Sequence, residues 1–373
     1  MSYAFVTSHR SMVFDGVRNA GYLAAIERYV TPDSVVLDLG CGLGIHGLMA
    51  ARAGARRVFM VDPEIIVHSA LEVAKHNGYG DRVEAFQGRI EEIELPEKVD
   101  VIISVFTGNL LHSEDLLPSL FFARDKWLKP GGRLVPDAAE LMLAPIAAPT
   151  LFDQHVAAWS KPHLGFDYSP LRRYAANVFS GERDASDRAL LAAPQRLISA
   201  DFHSETDTDI NGTVTIDVDR DGDCHGLQAW LRIKLGESWL DAGPILPTMH
   251  WTPQTLFFDQ PLAVRAGDRI EAHLHRPAFG EWTWSVKAPL GQRRQSTFLG
   301  QPLSASRLSA LSESAKVRRS SRGDEAYFVL ERMTGGQSNR VIADELRSQF
   351  PLRFVDGKDA MRYVTSLAGA YGS

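Results

Sequence analysis

The chain has 373 residues, of which 45% are hydrophobic and 23% are charged. This exceeds the roughly 100–200 residues of one domain, so we expect two or three globular domains. The formal charge of −6 gives no general attraction for nucleic acid or for an anionic membrane surface. Two distant cysteines, no signal-peptide pattern and no apolar run of about 18 residues predict a cytoplasmic protein.

Helices and strands alternate over residues 1–137. Apolar residues at helical spacing predict an amphipathic helix over 10–30. Short β-branched runs at 34–40, 57–62 and 99–105 then alternate with helical segments. This alternation is typical of βαβ units, so we expect an α/β doubly wound parallel sheet in this domain.

The pattern changes near Pro136. From 138 to 303 the chain has alternating polar and apolar segments separated by Asp-Gly and Gly-Asp turns, which predict an antiparallel β-sandwich or β-barrel. Residues 304–326 are serine-rich and charged, as is typical of a linker. Helical periodicity returns in 327–373, which predicts a small tail domain.

The segment "VVLDLGCGLG" places three glycines at the turn between the first strand and its helix. Gly40, Gly42 and Gly44 allow a ligand to approach the backbone at the carboxyl edge of the sheet. Asp62 ends the second strand, where it can accept hydrogen bonds from ribose hydroxyls. The spacing alone does not exclude a nicotinamide dinucleotide, because its sites use a similar turn.

Several further blocks follow in a fixed order: "AGARRVFMVD", "GRIEEIELPEKVDVIIS", "ARDKWLKPGGRLVPD", and "GLQAWLRIKL" with "PTMHWTPQTLFF". With the glycine turn and "HRSMVFDGVRNAGY" (9–22), they resemble the class I S-adenosylmethionine-dependent methyltransferases. More narrowly, they are similar to the protein arginine methyltransferases over about residues 3–300. The resemblance implies S-adenosylmethionine as cofactor and a β-barrel as the second domain.

The resemblance also assigns cofactor contacts. The three glycines would line the amino-acid portion of the cofactor, and Arg18 would pair with its carboxylate. Asp62 would hold the ribose hydroxyls. The remaining contacts are assigned to Ile90 and Glu91 at the adenine and to His9 and Met12 over the top of the cofactor.

The segment "SVFTGNLLHSEDLLPSL" (104–120) corresponds to the loop where the family places two glutamates around a substrate guanidinium. Here the second position is Glu114, whereas the first is Val105. Asp115 either replaces the missing carboxylate or caps the helix that follows. His250, in a His-Trp pair, would support the acceptor pocket. The predicted catalytic residues are therefore Glu114 and His250, and no metal site is assigned.

Two segments suggest partners. "HLGFDYSPLRRYA" (163–175) occupies the position of the family's dimerisation arm, so the resemblance implies a homodimer. "FVLERMTGGQSNRVIADELRSQFP" looks like the winged-helix domains of the pyrroloquinoline-quinone peptide-chaperone family. That resemblance would bring a leader peptide to residues 327–373, and the alternative is a capping extension of the barrel.

We therefore predict a methyltransferase that transfers a methyl group to a nitrogen of a peptide or protein. One alternative is an N-methyltransferase for a small molecule, such as free arginine or another amine, in a biosynthetic pathway. The other is a catalytically silent cofactor-binding protein that serves as a scaffold for a partner.

Overall fold

The computed structural model describes residues 3–181, 187–244 and 250–372. The chain divides into two compact units, Met1–Pro302 and Leu303–Ser373. No helix in the described part of the chain is long and apolar enough to cross a lipid bilayer.

Five parallel strands form the first sheet of the larger unit. They are β1 (Val35–Leu39), β2 (Arg57–Asp62), β3 (Val83–Gln87), β4 (Val99–Ser104) and β5 (Leu128–Val135). Their spatial order is β3-β2-β1-β4-β5, so the winding direction reverses between β1 and β4. The carboxyl end of β1 therefore lies at the switch point where open α/β sheets bind ligands. This order confirms the doubly wound parallel sheet.

Five helices accompany this sheet: α1 (Arg10–Val13), α2 (Gly16–Tyr29), α3 (Ile45–Arg52), α4 (Val67–His76) and α5 (Leu117–Trp127). The single helix expected over 10–30 is interrupted between α1 and α2. Asp15 is the reason, because its carboxylate caps α2 by accepting a hydrogen bond from the Arg18 backbone N–H at 3.0 Å. The short α1 is thereby separated from the longer α2.

Antiparallel strands follow: β6 (Ala138–Ala147), β7 (Phe179–Ser180), β8 (Ala189–Leu190), β9 (Gln195–Asp201), β10 (Ile210–Asp217), β11 (Gly222–Leu235), β12 (Ser238–Asp241), β13 (Gln254–Val264), β14 (Arg269–Arg276), β15 (Thr283–Ala288) and β16 (Gly291–Ser296). One sheet has the order β10-β14-β15-β16, and the other has the order β7-β13-β11-β6-β8 with β12 and β9 at its sides. Both sheets contribute to one apolar core that includes Leu143, Phe258 and Trp284. This arrangement confirms the barrel-like second domain, and α6 (Pro149–His155) and α7 (Arg172–Ala175) lie in its β6–β7 connection.

The smaller unit is helical. It contains α8 (Ala305–Ala310), α9 (Ser321–Met333), α10 (Asn339–Gln349) and α11 (Gly357–Tyr371). The last three pack around a separate core that includes Val329, Leu346 and Val364. Two details differ from the expectation: α8 and the start of α9 lie within the segment expected to be a linker, and the described residues of this unit include no strand for a wing. Ser304 and Ser320 cap the starts of α8 and α9, whereas residues 311–320 between them are not helical.

Candidate functional site

The glycine turn (residues 40–44) has a backbone conformation that disfavours side chains. Gly40, Gly42 and Gly44 have φ angles of +68°, +52° and +74°. A Cβ atom on Gly42 would lie 2.7 Å from Nδ1 of His9, and one on Gly40 would lie 2.3 Å from Cε1 of Phe106. His9 and Phe106 therefore pack so closely against the turn that only glycine fits at these two positions.

Asp62 contacts this turn directly. Its Oδ2 accepts a hydrogen bond from the Gly42 N–H at 2.9 Å, and its Oδ1 accepts one from the Glu64 N–H at 2.9 Å. Each carboxylate oxygen can accept more than one hydrogen bond, so Asp62 retains acceptor sites for a diol. Asp62 is thus placed for the ribose role that the resemblance gives it.

Ile90 and Glu91 follow β3 at the same edge of the sheet. The Gly88 N–H donates to the Asp62 carbonyl oxygen at 3.0 Å, which brings this segment beside the end of β2. Ile90 is buried, whereas Glu91 is exposed and accepts a hydrogen bond from the Ser119 hydroxyl at 2.6 Å. The two residues therefore lie near Asp62, with the Glu91 carboxylate already in contact with α5.

Arg18 is the feature of this site that most directly indicates an anionic ligand. The residue is only 1% exposed, and its Nη2 donates to the carbonyl oxygen of Met12 at 2.5 Å. Its Nη1 is buried and has no hydrogen-bond partner among the described residues. Burial lowers the pKa of Arg18, although Tyr22, Asp15 and Asp38 oppose that shift. A buried guanidinium N–H without an acceptor fits a carboxylate such as that of S-adenosylmethionine.

The covering segment (residues 3–14) lies over the glycine turn. Besides its approach to Gly42, His9 forms a hydrogen bond through Nε2 with the Tyr3 carbonyl oxygen at 2.7 Å. Met12 is half-buried, and its carbonyl oxygen also accepts a hydrogen bond from Asn19 at 3.2 Å. The structure therefore brings His9 and Met12 together with Arg18 on the covered side of the turn.

Two buried titratable residues flank the glycine turn, Asp38 in β1 and His46 in α3. Asp38 accepts a hydrogen bond from the Gly47 N–H at 2.7 Å, and burial raises the pKa of Asp38 to about 7. His46 stacks on Tyr22 with ring centroids 4.3 Å apart, and burial lowers the pKa of His46 to about 3. His46 is therefore a neutral packing residue at physiological pH.

Glu114 lies in the acceptor loop (residues 105–116), which joins β4 to α5. The residue is exposed as a whole, yet its carboxyl group is shielded enough that desolvation raises its pKa. Burial, and then the negative charge of Glu114, raise the pKa of Tyr3 in the covering segment. Tyr3 was not predicted from the sequence, since an aromatic residue near a chain end carries no distinctive local pattern.

Val105 and Thr107 precede Glu114 in this loop. Val105 is half-buried and packs against the core of the parallel sheet, so it contributes an apolar wall. Thr107 is buried, and its Oγ1 has no hydrogen-bond partner among the described residues. The residues of the acceptor loop that precede Glu114 therefore supply no carboxylate, and Val105 contributes an apolar side chain where the family has a glutamate.

Asp115 has neither of the roles expected for it. Helix α5 begins at Leu117 without a side-chain cap, so Asp115 does not cap it. Both carboxylate oxygens instead bind Arg276 of β14, at 2.7 and 2.6 Å, and Oδ1 also accepts the Phe279 N–H at 3.0 Å. These bonds lower the pKa of Asp115. The carboxylate is committed to the barrel domain and cannot replace the missing glutamate.

His250 lies where the covering segment meets the barrel domain. Its Nδ1 is 3.1 Å from the hydroxyl of Ser11, and its backbone N–H donates to the Asp15 carboxylate. The Thr252 N–H donates to Oδ1 of Asn109 at 2.7 Å, which joins the same loop to the acceptor loop. Residues 247–249 of the sequence block around His250 lie outside the described residues. Asn109 thus has a structural reason for its polarity within an apolar run.

Comparisons with known proteins agree with this geometry. Residues 36–132 match a family model described as a methyltransferase domain. Residues 137–278 match a model described as the arginine methyltransferase oligomerization subdomain. The match boundaries fall beside the junction between the parallel sheet and the barrel domain.

Named relatives agree as well. Protein arginine N-methyltransferase 1 of Schizosaccharomyces pombe is 32% identical over 292 residues, which cover 75% of this chain and 84% of that protein. A probable histone-arginine methyltransferase CARM1 of Oryza sativa subsp. indica is 32% identical over 304 residues, or 76% of this chain. The match spans 57% of the rice protein's length.

A solved structure extends the likeness to three dimensions. The Trypanosoma brucei PRMT1 enzyme-prozyme complex with AdoHcy is 28% identical, with a TM-score of 0.73. The match covers 79% of this chain and 99% of that one. Since the fission-yeast relative is matched over most of its length, the resemblance inferred from the sequence motifs is confirmed. The chain belongs to the protein arginine N-methyltransferase family.

Proposed function

We propose that this protein is an S-adenosylmethionine-dependent methyltransferase that acts on a nitrogen of a peptide or protein. The observation that carries the proposal is the buried Nη1 of Arg18, which lacks an acceptor among the described residues, beside a glycine turn that excludes side chains. Arg18 would hold the cofactor carboxylate, and Asp62 would hold the ribose. The relatives' names, which specify arginine in proteins, support the acceptor class.

When bound, S-adenosylmethionine supplies an electrophilic methyl group. The protein's part is to hold the acceptor nitrogen in line with that methyl group and to exclude water. The Glu114 carboxylate accepts an N–H of the acceptor, and its raised pKa suits it to take up the proton that the nitrogen loses. His250 contacts Ser11 of the covering segment, and from there it would support the acceptor pocket.

A binding and turnover experiment tests this proposal. Calorimetry should show S-adenosylhomocysteine binding to the wild type and at least about tenfold weaker binding to Arg18→Ala, because the carboxylate partner is removed. Arg52→Ala, on α3, is a matched control for loss of one arginine. A mass-spectrometric screen of arginine-containing peptides, free arginine and other amines with S-adenosylmethionine then identifies the acceptor. Equal cofactor affinity in wild type and Arg18→Ala would contradict the assignment.

A second candidate function is that of a catalytically silent partner of another methyltransferase. Val105 favours it, because the first glutamate of the family is missing at this position. A single carboxylate cannot form a two-sided clamp on a guanidinium. The similar Trypanosoma brucei structure is a complex of an enzyme with a prozyme. This candidate predicts normal binding of S-adenosylhomocysteine without methylation of any peptide or amine in the screen. Methylation by the purified protein would exclude it.

We also propose that the chain forms a homodimer through the arm at 163–175. What supports this is the exposure of its apolar residues: Leu164 is 83% exposed and Phe166 is 63% exposed. An exposed apolar patch on a projecting segment favours burial against a second copy. Leu164→Asp with Phe166→Ser should give monomers in analytical ultracentrifugation, whereas Leu290→Asp, an exposed apolar position elsewhere, should not. A wild type that remains monomeric at micromolar concentration would contradict the proposal.

We propose a reducing, cytoplasmic setting for the protein, because both cysteines are unpaired.

For the tail, we propose docking of a leader peptide that precedes the acceptor. The support is that Leu303–Ser373 is a compact unit with its own core. Removing residues 303–373 should lower kcat/KM for a precursor peptide and leave a short acceptor peptide unaffected. Equal effects on both peptides would assign the tail to stability alone.

A further inference from the structure

Arg276 contacts the acceptor loop on both sides of Glu114. Its Nη1 donates to the carbonyl oxygen of His112 at 2.8 Å and to Oδ1 of Asp115 at 2.7 Å. Its Nη2 donates to Oδ2 of Asp115 at 2.6 Å, so the ion pair is bidentate. One guanidinium therefore fixes the residue two positions before Glu114 and the residue directly after it.

Arg276 is itself held firmly by the barrel domain. It is the last residue of β14, is 5% exposed, and is paired in register with Ile210 of β10. Its guanidinium carbon lies 5.4 Å from the ring centroid of Trp282, which is also buried. A bidentate charge-assisted pair fixes orientation as well as distance. Arg276 therefore fixes the position of the acceptor loop relative to the barrel domain.

The acceptor loop needs this restraint because two of its residues have a backbone conformation that side chains disfavour. Asp115 has a φ of +53° and Leu111 has a φ of +65°, in the left-handed region that side chains disfavour. Aspartate tolerates this region better than most residues, but it does not hold a loop there alone. The bonds from Arg276 and from the Phe279 N–H to Asp115 supply the restraint.

Glu114 has no comparable restraint of its own. Within the described part of the chain no hydrogen bond fixes its carboxylate, and its side chain lies against Gly108 of the same loop, so the loop backbone determines where that carboxylate points. We propose that Arg276, acting through Asp115, is a positioning residue that directs the Glu114 carboxylate toward the acceptor. This inference rests on the proposed function of Glu114 and adds the barrel-borne pair that makes that function possible.

A double-mutant cycle distinguishes positioning from a merely structural role. Asp115→Asn should lower kcat about tenfold and leave the Kd for S-adenosylhomocysteine unchanged, because orientation of the reacting groups is lost. In a Glu114→Gln background the same substitution should change kcat less than about twofold, because the group being positioned is gone. Equal losses in both backgrounds, or no loss in either, would overturn the proposal.

The control is a second ion pair of β14, at the opposite end of that strand from Arg276. Asp217 of β10 binds Arg269 of β14 at 3.0 Å, and both side chains are 73% exposed. Asp217→Asn should leave kcat within about twofold of the wild type, as is usual for a surface pair. A loss equal to that of Asp115→Asn would show that any ion pair of β14 is needed, which contradicts positioning.

A second variant gives a readout that does not depend on turnover. Arg276→Lys keeps the positive charge but cannot reproduce the bidentate bridge. In ¹³C NMR titrations, the raised pKa of Glu114 should move toward that of an exposed glutamate as water enters the loosened loop. An unchanged pKa in a folded Arg276→Lys variant would overturn the proposal. If the proposed function is wrong instead, the wild type will show no methyl transfer, but the pKa of Glu114 will still shift in Arg276→Lys.

Discussion

The glycine turn and the acceptor loop both follow strands of the parallel sheet, yet they depend on different parts of the chain. The turn is defined by its own residues and by Asp62, at the end of the neighbouring strand. The acceptor loop depends on Arg276, which is 161 residues further along the chain than Asp115. The glycine turn is therefore fixed by nearby residues, whereas the acceptor loop depends on a residue of the barrel domain.

This difference has a consequence for specificity. On the positioning role proposed for Arg276, a change at that residue should alter acceptor geometry while the contacts of the glycine turn remain intact. Conversely, a change in the glycine turn affects every acceptor equally. The following predictions test this separation, from the largest expected effect to the smallest.

The first prediction concerns Glu114→Gln, which keeps the shape of the side chain and removes its charge. We expect a decrease in kcat of about two orders of magnitude, the scale seen when one oriented electrostatic group is lost. The Kd for S-adenosylhomocysteine should remain unchanged, because the substitution lies on the acceptor side. Glu94→Gln, at an exposed glutamate, is the control. Full activity would show that the Glu114 carboxylate is structural.

The second prediction concerns Gly42→Ala, on the cofactor side. Alanine would be strained at a φ of +52°, and its Cβ would lie 2.7 Å from Nδ1 of His9. Because the turn must shift to accept it, we expect calorimetry to show at least about tenfold weaker binding of S-adenosylhomocysteine. Gly78→Ala is the matched control, because Gly78 also has a positive φ but has open space around it. Equal affinity of the Gly42 and Gly78 variants would contradict a cofactor role for the turn.

The third prediction concerns Val105→Glu, which adds a second carboxylate to the acceptor side. We expect kcat/KM for an arginine-containing peptide to rise about tenfold, because a guanidinium gains a charge-assisted partner. Val105→Gln has nearly the same shape without the charge and should give no gain. A loss of activity in both variants would show that the apolar wall, and not the missing charge, sets acceptor choice.

The fourth prediction concerns the stability of the cofactor-free protein. Burial raises the pKa of Asp38 to about 7, so the folded state retains a proton that the unfolded state has released above about pH 4. This contribution makes the free energy of unfolding fall as the pH rises from about 4 to about 7, by at most about 1.4 kcal/mol per pH unit.

Asp38→Asn should remove that pH dependence and preserve an oxygen for the Gly47 N–H. The difference in free energy of unfolding between variant and wild type should therefore grow up to about pH 7 and then stay constant. Chemical denaturation between pH 5 and 8 measures it. Asp33→Asn, at an exposed position, is the control, and identical pH profiles for all three proteins would contradict burial of the Asp38 charge.

The cofactor side was largely predictable from the sequence because its signals are short-range. The three glycines and Asp62 are marked by strand endings, and the structure places the Asp62 carboxylate within hydrogen-bond distance of the Gly42 N–H. Three features of this domain escaped prediction, and one is strand β5, whose sequence contains Pro-Gly-Gly. Asp15 divides the first helix, although an aspartate before a helical run is a recognisable cap signal. The edge strand β3 escaped because "VEAFQ" is short and mixed in polarity.

The acceptor side was less predictable because its determining contacts are long-range. The sequence showed Glu114, Val105 and Asp115 side by side but could not show that Asp115 binds Arg276. Asn109 likewise has its reason in the loop that follows His250. A polar residue in an apolar run signals that a partner exists, and only the fold identifies that partner.

The buried Nη1 of Arg18 has a further consequence for turnover. Removal of the methyl group leaves the carboxylate of the cofactor unchanged, so the contact proposed for Arg18 would be the same before and after the reaction. The spent cofactor would therefore retain this part of its binding free energy, and methyl transfer itself would do little to drive its departure. If Arg18 holds the carboxylate as proposed, we therefore expect S-adenosylhomocysteine to compete with S-adenosylmethionine for the site.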